Sequence, residues 1–428
     1  MSADPQVQPA ALESIDELAS RLDGQLADAD ARLARDYPGD RGVRQPLHTV
    51  YLPADAYAAH TVREWGDRAL AVLDEHGPDA ATFAEAAGLP GHLAEQVYER
   101  VRDKLRREPV EDVRIDFEDG FGSRADDEED AEAVRAAGAL ADSIEARSAP
   151  PFHGIRFKSF EAPTRRRGLR TLDLFVGELA KRGALGDGFV LTLPKVTAVE
   201  QVEAMVTACE WLEGTHGLAP ARLGFEIQVE TPQSVLGPDG TALVARMIHA
   251  GGGRVTSLHY GTYDYSASCG IAAAYQSMEH PVADHAKAVM QVAAAGTGVH
   301  LSDGSTNILP IGDEAAVRRG WRLHARLVGR SLERGYYQGW DLHPAQLPTR
   351  FAATFGFYRD GFDSAVARLR AYTAGGESEY LDEPATAVAL AGFVLRGVEC
   401  GAVDESELTD QVGIDRAALA RLARRRTA

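Results

Sequence analysis

The segment FEIQVETPQS, residues 225–234, alternates apolar and polar positions. In an extended chain successive side chains point to opposite faces. Phe225, Ile227 and Val229 therefore share one side, and Glu226, Gln228 and Glu230 the other. A half-exposed edge strand carries that pattern. So does a strand whose polar side lines a site and whose last carboxylate holds a metal ion. Acids recur at the ends of other apolar runs: Asp116, Glu118 and Asp119 in EDVRIDFEDG, Asp264 in YGTYDYSAS, Asp303 after Ser302 in GVHLSDG, and Asp341, with His343 beyond it, in YYQGWDLHP. Two runs end in bases, FHGIRFKS with Arg156 and Lys158, and GFVLTLPK with Lys195.

Carboxylates gathered at one place repel and raise one another's pKa unless a cation joins them. Carboxylate and amide oxygens with water are the ligands of Mg²⁺ or Mn²⁺, and Mg²⁺ takes one or two carboxylates and keeps several waters. Glu230 and Asp264 are the candidate ligands, each at or just beyond the end of neighbouring apolar runs. Arg156 would face the same mouth, where a guanidinium can clamp a substrate carboxylate. A metal, an arginine and a nearby base make a kit for stabilising an enolate beside a carbonyl. Lys195 fits either a substrate carboxylate or CoA phosphate, or an ion pair with Glu118 or Asp116. With a metal as electron sink, no Schiff base is expected of it.

These residues need elements to position them. Eight short apolar runs, at 48–54, 111–120, 152–159, 188–195, 223–230, 255–261, 298–304 and 336–342, alternate with longer segments of helical period. Strand–helix alternation repeated eight times implies parallel strands with helical crossovers, the pattern of an α/β (β/α)₈ TIM barrel. In such barrels the chemistry sits at the C-terminal ends of the strands, where these polar residues fall. The expected division is an N-terminal helical arm at 1–45, the barrel at 46–348, and a C-terminal helical extension at 349–428. Within these, residues 10–36 read as one amphipathic helix, 349–374 as a long helix, AGGESEY as a break and 384–426 as a last helical region. That tail reads as a lid, an oligomerisation arm or simple packing on the barrel's outside.

A chain of 428 residues affords a large core, and its net charge of −19, from 64 acids against 45 bases, argues against nucleic acid and anionic membranes as partners. The three cysteines, Cys209, Cys269 and Cys400, form no CxxC pair. No signal peptide or membrane-length apolar run is present, so a reduced, cytoplasmic protein is expected. ADDEEDAE (125–132) reads as a solvated helix start. Arg318, Arg322, Arg326, Arg330 and Arg334 recur every four residues, a stripe expected to face solvent or another subunit. His280 and His285 do not have zinc-motif spacing.

Six motifs taken in order, DFEDG, IRFKS, LPK, QVETP, GTYDYSASCG and DLHPAQ, resemble the family of citrate lyase β-subunits and metal-dependent 2-oxo-acid aldolases of the hydroxy-oxo-heptanedioate type. The resemblance spans roughly residues 48–350; no single motif is specific, but six in order are. It implies a (β/α)₈ barrel, a Mg²⁺-type ion, and C–C bond cleavage or formation through an enolate of a 2-oxo acid or an acyl-CoA. By position, Glu230 and Asp264 match the metal ligands and Gln228 a polar residue beside the metal. Arg156 matches the arginine on the substrate carboxylate or carbonyl. Asp116, Glu118 and Asp119 match the acidic run that holds metal-bound water and supplies a base. The aldolase branch has a histidine where this chain has Asp119, which leaves the base among three carboxylates. CoA-binding members carry an arginine just before the first strand, where this chain reads QPLHTV, with Arg44 a few residues earlier.

The expectation is a Mg²⁺- or Mn²⁺-dependent carbon–carbon lyase, a homo-oligomer acting on a small anionic substrate, a 2-oxo acid or CoA thioester. The alternatives are a malate synthase-like acyl-CoA condensing enzyme and a non-catalytic metabolite-binding barrel.

Overall fold

All eight apolar runs form strands in the computed structural model, which describes residues 14–374 and 383–424. They are β1 (His48–Pro53), β2 (Asp112–Asp116), β3 (Phe152–Arg156), β4 (Phe189–Leu193), β5 (Gly224–Val229), β6 (Val255–Tyr260), β7 (His300–Ser302) and β8 (Gly339–Asp341). Every pairing is parallel, and the order β7-β6-β5-β4-β3-β2-β1-β8 is closed by a parallel bridge between Ser302 and Gln338. This is the (β/α)₈ barrel that the alternation predicts.

Helices precede, connect and follow the strands. They are α1 (Ile15–Asp36), α2 (Thr61–His76), α3 (Ala80–Ala87), α4 (Ala94–Arg107), α5 (Asp126–Glu145), α6 (Arg165–Lys181), α7 (Val199–Thr215) and α8 (Pro232–Val235), then α9 (Leu243–Ala250), α10 (Thr262–Ser268), α11 (Pro281–Ala294), α12 (Glu314–Glu333), α13 (Leu347–Ala374), α14 (Pro384–Glu399), α15 (Glu405–Val412) and α16 (Arg416–Ala423). The long insertion after β1 is α2, α3 and α4; the one between β5 and β6 contains α8 and α9.

Strand parity divides the barrel wall. Leu52, Ile115, Ile155, Leu191, Ile227 and Leu258 face the helices and are buried. Within the lumen Tyr51, Arg114, Thr192, Glu226 and His259 form a polar belt instead of the branched aliphatic layers usual in such barrels. Arg114 holds it together: its guanidinium donates to Glu226 (Nη2 to Oε2 2.7 Å) and to Asp112.

Helix α1 is capped at both Ser14 and Glu17 but buries none of its residues. Residues 10–13 of the expected first helix, and the Gly-rich break from 375 onward, lie outside the described residues. The expected last helical region is three helices. Residues of α14 share a cavity of about 440 Å³ with Gln45, Leu47, Val299 and His300, at the N-terminal ends of β1 and β7. The tail thus packs at the end of the barrel opposite the mouth, and a lid over the mouth is not its place. No helix among the described residues is long and apolar enough to cross a membrane.

Candidate active site

The C-terminal ends of β2 to β6 bring seven sequence-predicted residues into one mouth. Asp116 and Arg156 end β2 and β3 and meet side-on, Nε to Oδ1 at 2.7 Å and Nη2 to Oδ2 at 2.5 Å. The backbone N–H groups of Glu118 (2.9 Å) and Gly120 (2.8 Å) donate to the same carboxylate. Asp116 therefore accepts four hydrogen bonds, the full lone-pair capacity of a carboxylate. Gly120 is required there, because a Cβ would lie 2.5 Å from Asp116 Oδ2. Arg156 is buried over the Tyr51 ring, 4.8 Å from its centroid, and its Nη1 stands 3.5 Å from Glu118 Oε2.

Lys195 follows β4 in the left-handed region, at φ 51°, one of three non-glycine residues among those described with positive φ. Such a conformation costs energy and persists where surrounding contacts hold it. Its ammonium reaches Glu118 (2.5 Å), Asp119 (2.7 Å) and, at 3.8 Å, Asp264. Burial pulls its pKa down, and Asp119, Glu118 and the nearby Glu230 outweigh it and raise it. Asp119 is lowered, since the Lys195 and Glu118 hydrogen bonds outweigh its burial; Glu118 is raised by burial, against Arg156 and Lys195.

Glu230 stands immediately after β5, buried, and Oε1 accepts the Lys195 backbone N–H at 2.8 Å. Burial, reinforced by the charges of Asp264 and Glu118, pushes its carboxyl up to about 8. Gly261, after β6, makes room for it: a Cβ there would lie 2.4 Å from Glu230 Cβ. Asp264 sits in the first turn of α10, partly exposed at the rim. Five carboxyl groups (Asp116, Glu118, Asp119, Glu230 and Asp264) thus meet two cations, Arg156 and Lys195.

Among the described residues no three His, Cys, Asp or Glu side chains form a metal cage. The mouth fits an ion that takes two carboxylates and completes its shell with water and substrate. Glu230, buried beside Asp264 with an excess of negative charge around it, offers hard oxygen donors for Mg²⁺ or Mn²⁺. One layer below, Gln228 is fully buried and neither atom of its amide has a hydrogen-bond partner among the described residues. Trp340 Nε1, on β8, is likewise buried and unpaired.

Other sequence candidates go elsewhere. Glu226 lies deeper, held to about 2 by Arg114 and its hydrogen bonds in spite of burial. Of the five acidic strand ends, those of β7 and β8 do not serve the mouth. Asp303 pairs with Lys287 (2.9 Å) and Ser331 (2.6 Å), and Asp341 pairs with His48 (2.6 Å), His324 (3.0 Å) and Arg350 (3.0 Å), all outside the lumen. The five arginines of the stripe are spent within the chain: Arg326 on Glu279, Arg330 and Arg334 on Asp284, Arg318 on Glu314 and Arg322 on the Glu85 carbonyl. The sequence pattern singles out neither Tyr51 nor Gly261. For Tyr51 a signal was nonetheless there, since HTVYLP alternates and puts it on one side with Thr49.

The family described as a domain of unknown function, DUF6986, matches residues 26–427. No curated protein matches in sequence. Among solved structures, a citrate lyase from Burkholderia xenovorans LB400 is similar at 18% identity and a TM-score of 0.56, covering 88% of this chain and 97% of that one. Malate synthase from Haloferax volcanii is similar at 16% identity and a TM-score of 0.49, over 90% of this chain and 99% of that one. A HpcH/HpaI aldolase/citrate lyase family protein from Burkholderia cenocepacia J2315 follows at 15% identity and a TM-score of 0.38, over 74% and 93%. At these identities the likeness is one of fold.

Proposed function

The chain belongs to the DUF6986 family, and we propose that it is a divalent-metal-dependent carbon–carbon lyase that cleaves a small 2-oxo or 3-hydroxy carboxylic acid, or its CoA thioester, through an enolate. One observation carries the reading. A buried carboxyl, Glu230, stands beside Asp264 at the barrel mouth, facing a guanidinium that Asp116 holds in place. The fold shared with a citrate lyase structure supports it, as do the six motifs.

Glu230 and Asp264 would hold Mg²⁺ or Mn²⁺, which supplies electrophilic stabilisation of the enolate's negative charge. Arg156 gives its Nε and one Nη2 hydrogen to Asp116, so the outer edge, Nη1 with Nη2, is left to grip a substrate carboxylate end-on. Asp116, its lone pairs filled, is a positioning residue. Glu118 lies between Arg156 and Lys195 and is the base placed nearest that edge. It would take the substrate's hydroxyl proton; the C–C bond to the hydroxyl-bearing carbon then breaks, its electron pair passing to the enolate and the hydroxyl carbon leaving as a carbonyl. Lys195 holds Glu118 and Asp119 together, and Gln228 offers a buried amide to the substrate.

The test is a panel of 2-oxo acids and CoA thioesters in deuterated water, scored for exchange of α-protons. Exchange that needs Mg²⁺ or Mn²⁺ and disappears in Arg156→Lys is expected. Absence of exchange across the panel would remove the enolate reading, and exchange of thioesters alone would turn it toward acyl-CoA condensation.

A further inference from the structure

We propose that helix α1 of one copy of this chain docks, along its leucine stripe, in the groove between α6 and α7 of a second copy. Ile15, Leu18, Leu22, Leu26 and Leu33 line up along one narrow face of α1 at the helical repeat. Four of them are strongly exposed: Ile15 by 76%, Leu22 by 44%, Leu26 by 49% and Leu33 by 58%. An isolated helix of this length is marginal in water, and amphipathic helices owe their stability to what covers their apolar face. Among the described residues none of α1 is buried, although Leu18 is partly covered.

The groove is a matching vacancy in the helical ring. Helix α6 packs closely along α5 and touches α7 over a shorter stretch. The gap measures about 460 Å³ and is lined by Phe160, Leu169, Ala204, Ala208, Trp211 and Leu212, with no residue of α1 among them. Trp211, one of the residues lining this groove, is 56% exposed. Aromatic side chains so placed are the usual anchors of protein interfaces.

Charge selects the occupant. Helix α6 opens Arg165-Arg166-Arg167 and has no acid in its first turn, against the preference of the macrodipole. Arg167 and Arg170 share Asp130, and Arg166 has no partner among the described residues. Arg165 and Arg170 line the groove, as does Asp173, whose charge is turned to His216 at 2.9 Å. On α1, Asp16, Asp23 and Asp30 recur every seven residues and run beside the leucine stripe. Acids flanking the stripe meet bases flanking the groove when α1 lies in it. Exchanged reciprocally about a two-fold axis, with each copy donating one arm and receiving one, the contact gives a closed dimer.

The full-length chain is measured by light scattering after size exclusion. The wild type is expected at a multiple of 46.0 kDa. Leu22→Glu/Leu26→Glu in the arm, and separately Trp211→Glu in the groove, are each expected to reduce it to 46.0 kDa, with the barrel's cooperative melting kept and a loss of helical circular dichroism no larger than the 22 residues of α1. A wild type of 46.0 kDa, as when α1 folds back on its own chain, or an assembly that survives both changes, would overturn the proposal. Cross-linking is independent of those variants' solubility. On a Cys269→Ser background, mixed Leu26→Cys and Leu169→Cys chains should oxidise to a covalent dimer. Failure of the mixture to cross-link, or a dimer formed by the Leu26→Cys chain alone, would overturn it.

Discussion

The backbone N–H of Lys195, held at φ 51°, donates to Glu230 Oε1 at 2.8 Å, so a residue in a left-handed turn after β4 fixes the carboxylate after β5. The same residue sends its ammonium to the acids of β2. Backbone and side chain of one residue therefore organise three strand ends.

A left-handed conformation costs a non-glycine residue about 1–2 kcal/mol, part of which glycine gives back through its freer unfolded chain. Lys195→Gly should be more stable than Lys195→Ala by about 1 kcal/mol, although both lose the ammonium. Denaturant midpoints of the two variants check this. An alanine variant as stable as the glycine one would mean that the turn is not strained.

Asp116→Ala removes the partner of a buried guanidinium. Breaking a buried ion pair from one side costs about 3–5 kcal/mol. A lower melting temperature is expected, with KM for a carboxylate substrate raised at least tenfold because Arg156 loses its orientation. An unchanged KM would detach Asp116 from substrate binding.

Gly261→Ala places a methyl group 2.4 Å from Glu230 Cβ. Overpacking of this kind costs about 1–3 kcal/mol, and here it must displace Glu230. Loss of Mn²⁺ affinity is expected to exceed the loss of stability. Wild-type affinity in this variant would show that Glu230 is not held where the ion binds.

At the other end of the barrel Glu108 is drawn from 4.5 to about 2: burial opposes the shift, and Arg44 and Lys104 outweigh it. A depressed folded-state pKa contributes stability that is complete above pH 4.5 and is lost as pH falls toward 2. Glu111, buried and paired with Lys104 and Arg44, is lowered as well. Melting temperature should therefore fall between pH 4.5 and 2, and the slope should be shallower in Glu108→Gln. Equal slopes in the two proteins would assign the acid loss elsewhere.

The eight strands were legible because each is an apolar run bounded by helical segments, and their ends marked the mouth. What the runs do not reveal is which way each end faces. A barrel strand is covered on both sides, so hydrophobic alternation is weak as a guide. On β8 Trp340 turns into the lumen beside Tyr51 while Asp341 turns out to Arg350; nothing in the local sequence orders the two. Glu226, Gln228 and Glu230 were readable as one side because β5 does alternate, yet their fates differ with depth. Glu226 is neutralised by Arg114, Gln228 has no partner among the described residues, and Glu230 meets the mouth. The left-handed turn at Lys195 has no signature in LPKVT, since neither glycine nor asparagine stands there.

The central claim is that Glu230 and Asp264 hold a divalent cation. Its most direct test is titration of Mn²⁺ into the wild type and Glu230→Ala, with free ion followed by electron paramagnetic resonance. One site per chain is expected in the wild type, with affinity reduced at least a hundredfold in Glu230→Ala and the fold intact by circular dichroism. A folded Glu230→Ala protein that binds Mn²⁺ as the wild type does would contradict it.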